Sequence, residues 1–156
     1  MWAKCGFVTW EKPSPLLPAV TAFCWVRGWT HIYLGEGDAA IEQFQVALRL
    51  SPLDPRIYSA QTGMAFAQFF AGRYEDAASW ARIALRQQPK FLSAHRVMIA
   101  SHAVSGRFDE ARQACLLALQ IDPTQRISGI ADRSPFRRSE DIERLAQAFR
   151  IAGMPE

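Results

Sequence analysis

A chain of 156 residues with 49% apolar and 21% charged residues has room for one globular domain that buries about 70% of its extended-chain surface, and it is not a disordered tail. Its net charge is only +3, and its 18 basic residues, 15 of them Arg, are spread along the sequence except near the C-terminus. The dense basic stripe of a nucleic-acid face is therefore missing. Three cysteines in no C-x-x-C spacing, Cys5, Cys24 and Cys115, argue against a disulfide framework or a zinc site and point to a reducing, cytoplasmic compartment.

In chain order, residues 1–20 read as an N-terminal arm carrying Trp2, Phe7, Trp10, Leu16 and Leu17. A short apolar run from Pro15 to Val26, behind Lys4 and Lys12, is the one leader-like stretch. Pro18 interrupts it, the large Phe23 precedes Cys24, and the run continues directly into the first helix, so it makes a poor signal peptide. No apolar segment approaches the ~20 residues needed to span a membrane.

From residue 20 onward one phrase is spoken three times: Gly, four residues, Ala, six residues, Ala-Leu, three residues, Pro. It runs Gly35-Ala40-Ala47-Leu48-Pro52, Gly72-Ala77-Ala84-Leu85-Pro89 and Gly106-Ala111-Ala118-Leu119-Pro123. A phrase at this period marks stacked helical pairs. Each Gly sits where one helix ends and the chain must turn, a place that favours positive φ. Alanines seven apart share one helical face and let a neighbouring helix come close. The proline then ends the second helix. The first helices are predicted at about 20–34, 56–71 and 92–105, and the second helices at about 38–50, 74–88 and 108–121. Asp54-Pro55 reads as an N-cap followed by Pro at N1 of the third helix.

After Pro123 the stretch Thr124 to Arg138 has no periodicity. A final helix follows, with Ser139 as N-cap, Glu140 and Asp141 at its positive end and Gly153 as its stop. Ile142, Leu145, Phe149 and Ala152 form its apolar stripe. Residues 126–156 thus read as a linker and a capping helix for the open end of the stack, which repeat arrays need.

A unit of this length with these small residues and this proline resembles the tetratricopeptide repeat. In that family's frame the repeats run about 21–54, 58–91 and 92–125. The second-helix motif fits in all three. In the first helices only Gly28 supplies the family's small mid-helix glycine, Ala65 and Ile99 replace it, and Arg27 stands where a large apolar residue is usual. The resemblance implies an all-α solenoid of three helical hairpins plus a capping helix. A second resemblance rests on Ser134-Pro-Phe-Arg-Arg-Ser-Glu-Asp-Ile, on Ala152-Gly-Met-Pro-Glu156, on Ala47-Leu48 through Pro55 and on the Phe69 to Tyr74 turn. These are similar to the repeat region of bacterial class III adenylate cyclase-like proteins. By that comparison Glu156 is a true end, and the catalytic domain that would precede such repeats is missing.

Candidate chemistry dissolves into packing. His95 and His102 are seven apart on one helix, about 10 Å along its axis, too far to share an ion unaided, and no H-x-x-x-H or His–carboxylate cluster occurs. His31 and His102 hold the same internal repeat position, which favours packing or hydrogen bonding. Cys24 and Cys115 fall on packing positions, which leaves Cys5 as the expected reactive thiol. The acid pairs Glu75-Asp76, Asp109-Glu110 and Glu140-Asp141 stand at helix starts, where the macrodipole favours carboxylates. No catalytic motif is present. No enzyme activity, metal or cofactor is expected.

The family's geometry implies that first-helix side chains line a concave surface. These would be Trp25, Trp29, Ile32 and Tyr33 in repeat one, Thr62, Phe66, Phe69 and Phe70 in repeat two, and Ser93, Arg96, Ala100 and Val104 in repeat three. The candidate partner-binding residues are Trp25, Trp29, Tyr33, Thr62, Phe66, Phe69, Phe70 and Arg96, because large aromatics and Arg dominate binding energy at interfaces. Aromatics at helical spacing also pack between helices, so half of the set is expected in the core. Relatives that grip acidic chaperone tails use Lys, Arg and Asn where this chain has Trp25, Trp29 and Phe66. The expectation is therefore a non-catalytic scaffold for an apolar helix or extended peptide. That segment comes from another protein, from a second copy, or from the chain's own arm. The rival expectation is a regulatory module for a cyclase-like or transcription-regulatory system with a separate catalytic or DNA-binding partner.

Overall fold

The computed structural model describes residues 17–129 and 135–156, and these contain seven helices and no strand. They are α1 Leu17–Leu34, α2 Gly37–Leu50, α3 Ile57–Phe70, α4 Tyr74–Gln87, α5 Leu92–Val104, α6 Phe108–Ile121 and α7 Ser139–Ile151. The first six form three antiparallel hairpins, α1–α2, α3–α4 and α5–α6. The predicted helices are all present, with ends that differ by a few residues at most.

The hairpin turns share one backbone solution. Gly35, Gly72 and Gly106 take φ of 79°, 79° and 77°. Each glycine N–H donates to the carbonyl three residues back, and the next N–H donates to the carbonyl five residues back, as in Glu36 to His31 at 2.8 Å and Arg73 to Gln68 at 2.9 Å. This double bond pattern satisfies carbonyls that the helix end would otherwise strand. At Gly72 and Gly106 an added Cβ would meet nothing. The left-handed backbone, not crowding, demands glycine there. Gly153 ends α7 in the same way, at φ 82°.

The helix starts differ from expectation. Asp54 does not cap α3. Its Oδ1 accepts the Arg56 N–H at 2.7 Å, making a tight turn, and the helix begins at Ile57 with Arg56 at the N-cap position. Likewise Arg138, not Ser139, holds the N-cap position of α7. Asp141 stands in the first turn of α7, as predicted, but it is buried there, and that burial raises its pKa.

All six alanines of the repeated phrase, Ala40, Ala47, Ala77, Ala84, Ala111 and Ala118, are buried. The central helix α3 is packed on nearly every side, with Ala60 through Ala67 and Phe69 all buried. Phe44 of α2 lies wholly in the core between α1 and α3. A Cβ at Gly28 would come within 2.7 Å of its ring, and one at Gly63 within 2.2 Å. The ring is thus seated between two glycines on neighbouring first helices, and it meets Trp29 edge-on at 5.9 Å.

Outside the core an ion pair recurs from hairpin to hairpin. Arg73, just after Gly72, reaches back to Asp38 at 3.1 Å, and Arg107, just after Gly106, reaches back to Glu75 at 3.0 Å. The exposed Arg73–Asp38 pair contributes only about 0–1 kcal/mol, so it aligns the repeats more than it stabilises them, while Arg107 is half-buried. The final helix α7 lies chiefly against α5, burying Leu145, Ala148 and Phe149. Phe108, Leu116 and Leu117 of α6 stay exposed. The tail then returns to the end of the third hairpin, where Ile127 N–H donates to the Pro155 carbonyl at 2.9 Å.

Two outcomes follow from this packing. Gly63→Ala should destabilise the protein by about 1–3 kcal/mol through overpacking against Phe44, outweighing the ~0.5–1 kcal/mol that alanine adds to a helix interior. Adding Phe44→Leu should recover part of the loss in urea melts. A single variant more stable than the parent would show that the ring is not wedged. The second outcome concerns His102, which is buried and has its pKa lowered first by desolvation and then by Arg107. The native state resists its protonation, while the unfolded chain takes up a proton near pH 6.5. Its contribution is therefore intact above about pH 6.5 and is lost as pH falls below that value. Urea midpoints measured from pH 7 to pH 5 should fall, and His102→Gln should flatten that slope.

Candidate docking surface

Neighbouring first helices touch, α1 with α3 and α3 with α5, while α2, α4 and α6 make no comparable contact with one another. The stack therefore curves toward its first-helix side, and α1, α3 and α5 line the inner face. Two regions of that face differ: one near the glycine turns and one near the opposite ends of the helices, where α2 connects to α3.

At the turn end α1 contributes Trp29 and Tyr33, and α3 contributes Phe66 and Phe70. Trp29 lies 5.9 Å from Tyr33 and 6.0 Å from Phe66, and Phe66 stacks on Phe70 at 6.1 Å. These four rings form a cage, and it is occupied. Phe136, half-buried, lies 5.8 Å from Tyr33, 6.0 Å from Phe66 and 5.1 Å from Phe70. The backbone beside it is also held. Arg137 N–H donates to the Tyr33 carbonyl at 2.9 Å, and the Arg138 guanidinium donates to the Gly35 carbonyl at 3.1 Å. The Arg138 stem lies across Gly35 so closely that a Cβ there would meet its Cδ at 2.1 Å. Burial raises the Tyr33 phenol pKa, and the buried Trp29 Nε1 has no hydrogen-bond partner among the described residues.

At the other end an open cleft of about 320 Å³ runs between α1, the end of α2 and the start of α3. Trp25 and Val26 form one wall, Ile57, Tyr58 and Ala60 the other, with Leu48 and Ala47 at the base and Phe91 closing one side. Tyr58 is fixed edge-on to Phe91 at 4.9 Å. Polar groups at the rim are Thr21 and Ser51, whose hydroxyls are 3.1 Å apart, together with Ser59, Asp54 and Arg56.

The eight candidate residues therefore separate. Trp25 is exposed in the cleft. Trp29, Tyr33, Phe66 and Phe70 build the cage, with Phe66 itself buried. Thr62 and Phe69 do not face a partner. Thr62 is fully buried, its hydroxyl donating to the Tyr58 carbonyl at 2.8 Å. Phe69 is fully buried against Phe70 and Tyr74, each at 5.4 Å. Both lie on the sides of α3 that α2, α4 and α5 cover. Ile32 and Ala100 are buried too, while Val104 is exposed. Arg96 is engaged, its Nε donating to Gln125 Oε1 at 3.0 Å. Gln125 in turn hydrogen-bonds Asp122, whose carboxyl is held below its usual range by the Thr124 hydroxyl and N–H and by Gln125.

Sequence reasoning missed Phe136 and Arg138 as parts of the surface. The available signal was a single large aromatic, flanked by Pro and two Arg, in an otherwise aperiodic stretch. The alternative in which the arm fills this face lies outside the described residues for positions 1–16. Among the described residues, no group of three or more His, Cys, Asp or Glu comes together, and no helix is long and apolar enough to cross a membrane. Cys24 and Cys115 are free and buried.

Comparison with known proteins agrees with this geometry. The tetratricopeptide repeat family model matches residues 26–90 and again 62–126. The first TPR domain of the human RPAP3 protein, an NMR structure, is similar at 17% identity and TM-score 0.63, covering 87% of this chain and 97% of that one. The first TPR of Spaghetti (RPAP3) bound to the HSP90 peptide SRMEEVD matches at 17% identity and TM-score 0.62, over 85% and 94% of the two chains. The second TPR domain of human RPAP3, in complex with the HSP70 peptide SGPTIEEVD, matches at 15% identity and TM-score 0.62, over 85% and 97%. No curated protein matches the chain in sequence.

Proposed function

Because this chain belongs to the tetratricopeptide repeat family, we propose that it works without catalysis, as a scaffold that holds a segment of another protein on its concave face. The observation that carries this reading is the open cleft beside Trp25 on the inner surface. A large apolar side chain entering it would be gripped by Trp25, Tyr58 and Ile57, while Ser59, beside the hydrogen-bonded Thr21–Ser51 pair, would meet the backbone of an extended peptide. Aromatic walls with a few polar groups are the usual build of such sites. Two of the three similar domains named above are bound to peptides ending in EEVD. This cleft is suited to different chemistry: its walls are apolar, its one acid and one base, Asp54 and Arg56, stand 3.7 Å apart, and Arg96 is tied to Gln125. An apolar or aromatic segment fits it better than an acidic tail.

The likeness of the C-terminal stretch to cyclase-associated repeats supports a second reading of the same face, in which the held segment belongs to a separate catalytic or DNA-binding partner of a regulatory system. Both readings use the same residues and differ in the partner.

Peptides selected from a displayed random library should be enriched in large apolar residues. Trp25→Ala should weaken their binding at least tenfold with unchanged helical circular dichroism, since Trp25 is exposed and lies outside the core. Undiminished binding by the variant, or selection dominated by acidic C-termini such as SRMEEVD, would remove the cleft from the docking surface.

A further inference from the structure

The cage at the turn end carries more information than the cleft, because an occupant is seen in it. Residues 135–138 have no helical structure of their own. They lie against α1 and α3 by one inserted ring, one backbone hydrogen bond and one guanidinium–carbonyl bond. Those are the contacts of an extended peptide docked on a repeat surface. We propose that the Trp29–Tyr33–Phe66–Phe70 cage is a recognition site for an extended partner segment carrying an aromatic residue followed by arginines, which residues 135–138 occupy as an internal ligand. The inference deepens the docking role proposed above and rests on it.

Three observations favour an exchangeable ligand over a fixed piece of the core. First, Phe136 is only half-buried, unlike Phe44, Phe69 and Phe149, which are fully enclosed. Second, α7 has its own anchorage through Leu145, Ala148 and Phe149, and the tail is tied separately at Ile127. Residues 135–137 and the Arg138 side chain can therefore leave the cage while Arg138 keeps its N-cap place and the helix that follows stays docked. Third, among the described residues the space over a turn glycine is filled only in the first hairpin. A side chain lies over Gly35, while the same space is open at Gly72 and Gly106. Selectivity for an aromatic comes from the four rings, and selectivity for the arginine comes from the Gly35 carbonyl at the exposed end of α1, where the helix dipole favours a cation. Tethering gives the internal segment a high effective concentration. A partner therefore sees the site only in the fraction of molecules with the cage open, and its apparent affinity is reduced by that fraction.

The probe is a fluorescein-labelled Pro-Phe-Arg-Arg-Ser peptide, titrated by anisotropy into the full chain and into its Phe136→Ala/Arg138→Ala variant. The variant should bind at least tenfold more tightly than the parent, and a probe with alanine in place of Phe should bind neither. Equal affinity for both proteins, with helical content and melting temperature retained in the variant, would overturn the proposal. A second measurement covers the case in which the variant does not fold. The same probe with a photoreactive benzophenone in place of the Phe ring, at saturating concentration on the parent chain, should cross-link to α1 and α3 around Tyr33 and Phe70. Labelling elsewhere, or none, would equally overturn it. Failure here is separable from failure of the docking reading itself, because Trp25→Ala leaves the cage intact and reports on the cleft alone.

Discussion

The ring of Phe44 governs how closely the first two hairpins approach. It projects from α2 into the space between α1 and α3, and both helices present glycine to it. Burying such a ring contributes about 1.5–3 kcal/mol, and its edge-on contact with Trp29 adds a smaller aromatic term. The geometric consequence outweighs either figure. With no Cβ at Gly28 or Gly63, α1 and α3 close around the ring until Trp29 and Phe66 stand 6.0 Å apart. The cage on the inner face is therefore set from behind, by a core side chain that touches only its Trp29 ring. Close packing carries the constraint outward, because a core at crystal-like density has no slack to absorb a displaced helix.

From that seat the rest of the stack propagates by repetition. The glycine turns reverse the chain with the same pair of hydrogen bonds each time, and the buried alanines keep each second helix close to its neighbours. The back-reaching pairs Arg73–Asp38 and Arg107–Glu75 then fix one hairpin against the one before it. Each of these devices acts between adjacent units only, which is how repeat arrays gain stability. At the position of Arg73 and Arg107 the first hairpin carries Glu36, which pairs locally with His31 at 2.6 Å.

The parts of the fold that could be read from the sequence are those set by local rules. Positive φ at Gly35, Gly72 and Gly106, the alanine faces and the stop at Gly153 all depend on a few consecutive residues, and the structure has them where the pattern put them. Helix starts were less legible. Asp54 spends its carboxylate on the Arg56 N–H within a turn instead of on the helix that follows, a competition that residue type alone does not decide. The surface was legible only in part. Thr62 and Phe69 carry the same periodic signal as Phe66 and Phe70, yet α3 is enclosed by α2, α4 and α5, and only the tertiary neighbours distinguish a covered face from an open one. Phe136 gave no periodic signal. Its partners are 66 to 103 positions away in the chain, from Phe70 back to Tyr33, and no local rule reaches that far.

Because the inner face is divided, the two halves need not recognise the same thing. The cleft beside Trp25 is bounded by apolar side chains and hydroxyls and offers a side-chain pocket with a place for backbone. The cage is bounded by ring faces and by the carbonyl end of α1, and offers a slot for an aromatic with a cation beside it. Trp25 and Trp29 are four residues apart on α1, one helical turn, about 6 Å along its axis. An extended segment advances about 3.3 Å per residue. A single bound strand can therefore span both sites with its anchors about two positions apart. Once such a segment is held in the cleft, its second anchor is delivered to the cage at high local concentration, and it competes with Phe136 on nearly equal terms. On the proposed reading, occupation of the cleft is the step that favours opening of the cage, and Phe136 is the residue that sets how much a partner must offer before the whole face is available.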